Sequence, residues 1–145
     1  MKAFQFIGWS HAFYSLYLYH VYITLNPKMD VGYGGSWKFL TFINLNIQFL
    51  VFTLAVLQVI TGAISMTTAS KKLKELKETL YATIGVPICL FVVSSFWILY
   101  SVDRQFIYPA HMDGIVPFWT THFFHTTIVS LLLESYFDKI TYLAV

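Results

Sequence analysis

The sequence predicts an all-α protein, a polytopic membrane helical bundle of about four transmembrane helices. Three observations carry that prediction. Of 145 residues, 57% are hydrophobic and only 11% charged, against roughly 25% charged in soluble domains. Four runs are long enough for a helix to cross the hydrocarbon, which takes about 20 apolar residues. The charges gather between those runs.

The runs fall near residues 3–25, 39–67, 80–102 and 115–137, and they form a single integral membrane domain over 1–145. The first begins after Lys2 as a signal peptide would. Its length, its aromatic content and the lack of a small-residue cleavage site make it a retained span instead. The connections are NPKMDVGYGGSW, KKLKELKE and DRQFIYPAHMDG. The second reads as a solvated stop-transfer loop, although its four lysines also suit anionic lipid. Six of the nine Lys and Arg lie in the N-terminus, KKLKELKE and the tail, which places those three segments in the cytosol by the positive-inside rule. The plasma membrane and an endomembrane are both open as locations. Pro87 interrupts the third run and is expected to kink it. Pro117 fits the first turn of the fourth helix.

Composition also narrows function. A net charge of +2 is too small to point to nucleic acid. Cys89 is the only cysteine, so no intrachain disulfide forms, and it reads as a small buried apolar residue.

The second run opens WKFLTFINLNIQF. Inside a bilayer an unpaired polar group costs free energy, so Thr41, Asn44, Asn46 and Gln48 each need a partner or a role. On a helix, Gln48 lies about 20° and Asn44 about 60° from Thr41, whereas Asn46 lies about 140° away. One polar stripe therefore holds Thr41, Asn44 and Gln48. Such a stripe commonly ties membrane helices together.

The fourth run begins PFWTTHFFHTTIVSLLLES. His122 lies about 60° and Thr121 about 40° from His125, so the three share one face with Phe118, Val129 and Leu132. A neutral imidazole is a competent general base. If Trp37 and Trp119 are interfacial anchors, Thr41 lies about 6 Å and His125 about 9 Å inside them. Both helices enter from the non-cytosolic side, so the two side chains meet if the helices are neighbours. A hydroxyl beside a neutral imidazole is the minimal unit of nucleophilic catalysis. A hydrogen-bonded structural pair is the alternative from these residues alone. The His122/His125 spacing also suits two metal ligands on one helix, but no third ligand clearly joins them, and no metal or cofactor is expected. His111 reads as a loop residue, and His11 and His20 as first-span residues, His20 near its non-cytosolic end. Glu134 lies about 180° from His125 and is expected at the interface, paired with Lys139 or solvated. Tyr14, Tyr17, Tyr19 and Tyr22 read as packing and interface residues.

Three segments carry a resemblance: GGSWKFLTFINLNIQ at 34–48, FWILYSVDRQFIYP at 96–109 and IVPFWTTHFFHT at 115–126. In that order and spacing they resemble the androgen-induced and androgen-dependent TFPI-regulating protein family. The resemblance implies a multi-pass membrane threonine hydrolase acting on fatty acid esters of hydroxy fatty acids. It implies Thr41 as nucleophile and His125 as base. Asn44, Gln48, Thr121 and His122 are then candidate supporting groups for the oxyanion. The implied partners are a lipid substrate within the bilayer and the membrane itself, with protein partners unassigned. The chain departs from the family in two ways. It has Thr121 where the family usually has Asn, and it has four spans where members have about six, so a C-terminally short form is expected. The alternative function is a non-catalytic membrane protein, an inactive short member acting through protein partners.

Overall fold

The computed structural model describes residues 2–26 and 32–133, and all regular structure among them is helical. Helix α1 (Lys2–Tyr19) runs into a π turn at His20–Thr24, and α2 spans Leu40–Ala63. Helix α3 (Thr67–Leu80), a π turn at Tyr81–Gly85 and α4 (Val86–Val102) follow one another without a break. Helix α5 (Phe118–His122) passes through a π turn at Phe123–Thr127 and continues helically over 128–133.

The segment KKLKELKE is not a loop. It lies inside α3, so the helix through 67–102 is one rod of 36 residues. The local reason is in the sequence. No Gly or Pro falls between 67 and 84, Lys, Leu and Glu are strong helix formers, and Lys71/Glu75 and Lys74/Glu78 have the favourable i, i+4 spacing. The tertiary reason is a face that docks on α2. Ser70 Oγ donates to the Gln58 carbonyl at 3.1 Å, and Lys77 Nζ donates to Gln58 Oε1 at 2.9 Å. The turn between the helices places Ser65 at φ 62°, a left-handed conformation that costs an L-residue about 1–2 kcal/mol.

Pro87 sits in the first turn of α4, directly after the π turn at Tyr81–Gly85. The expected disturbance therefore takes the form of a wider turn, since a π bulge is one of the recognised ways a helix absorbs an interruption.

Helix α1 packs antiparallel to α2. Trp9 Nε1 donates to Thr53 Oγ1 at 3.1 Å, and the Tyr19 and Phe42 rings lie 5.0 Å apart. Their approach depends on Gly8, where an added Cβ would lie 2.2 Å from the Phe52 ring. Helix α2 thus touches α1 on one side and the α3–α4 rod on the other.

Residues 103–117 close the end of the bundle at which α2 begins. Asp103 accepts from the Gln105 N–H at 2.9 Å, starting a short 3-10 turn over Arg104–Phe106. Arg104 pairs with Asp113, and that hydrogen bond raises the guanidinium above its ordinary value. Burial pushes the Tyr108 phenol upward, so it stays protonated and donates to the Val116 carbonyl at 2.5 Å. Tyr108 and Val116 then join Leu18, Tyr19, Leu45 and Phe124 in one apolar cluster. Pro117, with ψ 133°, stands immediately before α5 rather than inside its first turn.

Among the described residues, two helices, Leu40–Ala63 and Thr67–Val102, are long and apolar enough to cross a membrane. Only 39% and 22% of their most apolar windows is buried. A core helix of a soluble protein hides such a surface, whereas here Leu50, Phe91 and Ile98 are exposed. Lipid is the solvent that suits them. Residues 27–31 and 134–145 lie outside the described residues, and with them the end of the fourth span and the Glu134/Lys139 pairing.

Candidate functional site

The stripe on α2 faces inward. Asn44 and Gln48 are fully buried and Thr41 is half-buried. Asn46, predicted off the stripe, donates to its own helix at the Phe42 carbonyl, 2.8 Å away. Helix α5 brings His125 to the upper end of the stripe, and Thr41 Oγ1 lies 3.3 Å from His125 Nε2.

The tautomer of His125 follows from its other contact. Nδ1 lies 3.0 Å from the Thr121 carbonyl oxygen, which can only accept. The ring proton therefore sits on Nδ1. Nε2 carries the lone pair, and the Thr41 hydroxyl donates to it. The ring is also clamped by Phe96, stacked on it at 3.8 Å with planes 15° apart. Histidine position, tautomer and ring plane are thus set by α2, by the previous turn of α5 and by α4.

A similar chain of donors orders the amides below. The Gly85 carbonyl accepts from Gln48 Nε2 at 2.9 Å, and the same Nε2 donates to Asn44 Oδ1 at 3.1 Å. Because a carbonyl only accepts, Gly85 dictates which end of Gln48 is the NH2. Gln48 in turn dictates that Asn44 presents its oxygen to it. Asn44 Nδ2 has no oxygen or nitrogen acceptor, and the group it faces is the Cys89 thiol. The Cys89 thiol, fully buried as predicted, is its polar neighbour.

The remaining predicted residues divide. Thr121 is buried, and its carbonyl holds His125 Nδ1. His122 does not join His125. It is exposed, pairs with Thr126 Oγ1 at 3.3 Å and lies against Trp97 and Phe118. The helical wheel placed the two histidines on one face because it assumed 100° per residue. The π turn at Phe123–Thr127 contains His125 and widens the turn, which swings the histidines apart. His11 stacks on Phe123 at 5.0 Å, away from Thr41, and His20 and His111 are exposed. Phe96 and Gly85 escaped sequence reasoning. Helix α4 is apolar all round, so no periodicity marks one of its phenylalanines, and a backbone carbonyl leaves no residue-type signal at all.

Comparison with known proteins follows from this geometry. The chain matches the family model described as FAR-17a/AIG1-like protein over residues 2–144. It is 40% identical over 108 residues to "Androgen-induced gene 1 protein" of Homo sapiens, covering 70% of this chain and 45% of that one. It is 31% identical over 112 residues to "Androgen-dependent TFPI-regulating protein" of Homo sapiens, covering 75% and 47%. The Mus musculus protein of the latter name is 34% identical over 95 residues, covering 66% and 41%. The chain spans about half the length of the curated relatives it matches. No solved structure matches it.

Proposed function

This chain belongs to the FAR-17a/AIG1-like protein family, and on that premise we propose that it is an integral membrane hydrolase of lipid esters, with Thr41 as nucleophile and His125 as general base. The substrate class is the fatty acid esters of hydroxy fatty acids. The observation that carries the reading is the 3.3 Å approach of Thr41 Oγ1 to His125 Nε2, with Nδ1 held on the Thr121 carbonyl. Hydrogen-bond reach between nucleophile and base, with the base oriented by a third group, is the arrangement such catalysis needs.

The reaction runs in two halves. His125 Nε2 accepts the Thr41 hydroxyl proton as Oγ1 bonds to the ester carbonyl carbon, and the carbonyl electron pair moves onto oxygen. The tetrahedral adduct collapses with cleavage of the bond to the alkoxy oxygen. That oxygen takes the proton from His125 and leaves as the hydroxy fatty acid. Water then attacks the acyl-Thr41 carbonyl, giving a proton to Nε2, and the second adduct releases the fatty acid and restores both groups. A buried carbonyl in place of a third acidic residue makes this a dyad. The orienting group fixes the tautomer without supplying charge. Lipid-facing helices suit a substrate that arrives from the bilayer with its acyl chains already out of water.

The test is hydrolysis of a fatty acid ester of a hydroxy fatty acid by the purified chain in detergent or nanodiscs, beside Thr41→Ala and His125→Ala at matched folding. Wild-type turnover that both substitutions abolish is the expected result. A folded but inert wild type, or turnover that survives both substitutions, overturns the reading. An inert wild type would leave the polar stripe as the tie that joins α2 to α4 and α5.

A further inference from the structure

Among the described residues, the buried amide of Asn44 is the unpartnered donor that lies on the Thr41 face of α2. Native buried donors almost always have a partner, and one without calls for a reason. Asn44 is fully buried, and its Nδ2 has no oxygen or nitrogen acceptor. Its oxygen is tied by Gln48, and Gln48 is anchored on the Gly85 carbonyl. Two hydrogen bonds donated by the one Gln48 NH2 group therefore hold the Asn44 amide in one orientation. The Cys89 thiol beside it is a weak acceptor and satisfies little of that capacity.

Position gives the reason. Asn44 follows Thr41 by three residues on α2 and shares its face. Residues so spaced are helix neighbours, with Cβ atoms about 5–6 Å apart. When Thr41 Oγ1 adds to a carbonyl carbon, the new oxyanion is bound to the same carbon as Oγ1, so it lies within reach of a donor one turn away. Of the four candidates the stripe and α5 offered, Gln48 is already engaged and His122 is turned away, while Thr121 contacts His125 at its carbonyl. Gln48 Nε2 serves Gly85 and Asn44, and His122 is exposed beside Thr126.

We propose that Asn44 Nδ2 is the oxyanion donor of this site and that Gln48 is its positioning residue. The proposal rests on the Thr41/His125 reading of the site and assigns the groups that stabilise its charged intermediate. The logic of the two halves is shared. A backbone carbonyl at Thr121 directs the base, and a backbone carbonyl at Gly85, through Gln48, directs the oxyanion donor. A preorganised donor in a site without water acts where charge develops and needs no reorganisation.

The experiment compares a long-chain aryl ester with its thionoester, in which sulfur replaces the carbonyl oxygen. Sulfur accepts hydrogen bonds poorly, so an oxyanion donor favours the oxygen ester. Removing one such donor typically costs about 10²–10³ in kcat. In Asn44→Leu the oxygen ester should therefore slow by about that factor with little change in KM, while the thionoester slows far less and the rate ratio shrinks. Gln48→Met keeps the Asn44 amide but releases its direction, so the ratio shrinks by less; it carries the test if Asn44→Leu does not fold. Equal slowing of both esters marks a merely structural role and overturns the proposal. Hydrolysis lost in Thr41→Ala and His125→Ala with an unchanged ratio in Asn44→Leu overturns the role of Asn44 alone. Hydrolysis retained in Thr41→Ala and His125→Ala overturns the dyad and this role together.

Discussion

At the residue scale, the hydroxyl of Thr41 and the ring of His125 are held by contacts of different kinds, a single hydrogen bond and an aromatic stack. The Thr41 hydroxyl contributes one hydrogen bond at 3.3 Å from a half-buried position. Thr41→Val keeps the β-branched shape and removes that bond, which costs about 0.5–1.5 kcal/mol. The chain should therefore fold and lose all ester turnover. Thr41→Ser keeps the nucleophile and should retain turnover within about tenfold, about 1.4 kcal/mol in barrier. Steady-state hydrolysis with a thermal unfolding scan on the same samples checks both. The ring of His125 depends on Phe96. Phe96→Leu keeps apolar bulk but loses a stacked pair worth about 0.5–1.5 kcal/mol. If His125 is the base as proposed, it should lower kcat several-fold and leave KM nearly unchanged, because the ring loosens while the lipid-facing helix surfaces stay. A fall in KM affinity with kcat intact would show that Phe96 binds substrate instead.

At the element scale, helix contacts turn on two small backbone facts. The first is Gly8, which lets α1 approach the buried Phe52 ring on α2. Gly8→Ala puts a carbon where a ring carbon already stands, and overpacking of this kind costs about 1–3 kcal/mol. The gain in helix propensity from Ala, about 1 kcal/mol at most, does not offset the upper part of that range. A lower unfolding temperature in detergent is the expected outcome. The second is Ser65 in the α2–α3 turn, at φ 62°. Ser65→Gly removes a left-handed penalty of about 1–2 kcal/mol and should raise the unfolding temperature slightly or leave it unchanged. Neither position announces its role in the sequence. Gly8 sits in an apolar run where glycine usually only weakens a helix, and Ser65 lies beside Gly62, which a sequence reader would choose for the turn.

At the scale of the whole molecule, two kinds of exposure have to be told apart. Leu76 on α3 and Phe91 on α4 are both exposed in the isolated chain, at 49% and 63%. The first stands on the charged helix α3 between Lys74 and Lys77. The second lies in the apolar stretch of the rod. Native Cys89 is buried. A membrane-impermeant maleimide applied to the chain in lipid should therefore leave the wild type unlabelled, modify Leu76→Cys, and spare Phe91→Cys until detergent replaces lipid. Labelling of both positions in lipid would mean that α4 faces water and that the rod does not cross the bilayer along this stretch. The same experiment on sealed vesicles reads the side on which the hairpin lies, and the positive-inside rule predicts the cytosolic one.

Sequence alone determined the helical membrane class, because apolar run length and charge segregation are one-dimensional properties and a bilayer reads them directly. It also determined the polar stripe Thr41/Asn44/Gln48, because a straight α-helix converts spacing into a face. The family followed from three quoted segments. The tertiary structure decided the rest. It carried the helix through KKLKELKE, because a face of α3 had α2 to dock on. It separated His122 from His125, because a π turn breaks the 100° rule that the wheel assumes. It oriented the Gln48 and Asn44 amides, because which amide end points where depends on the Gly85 carbonyl, 37 residues away along the chain from Gln48. Direction of a hydrogen bond is a property of two groups in space, and no pattern along one strand of residues contains it.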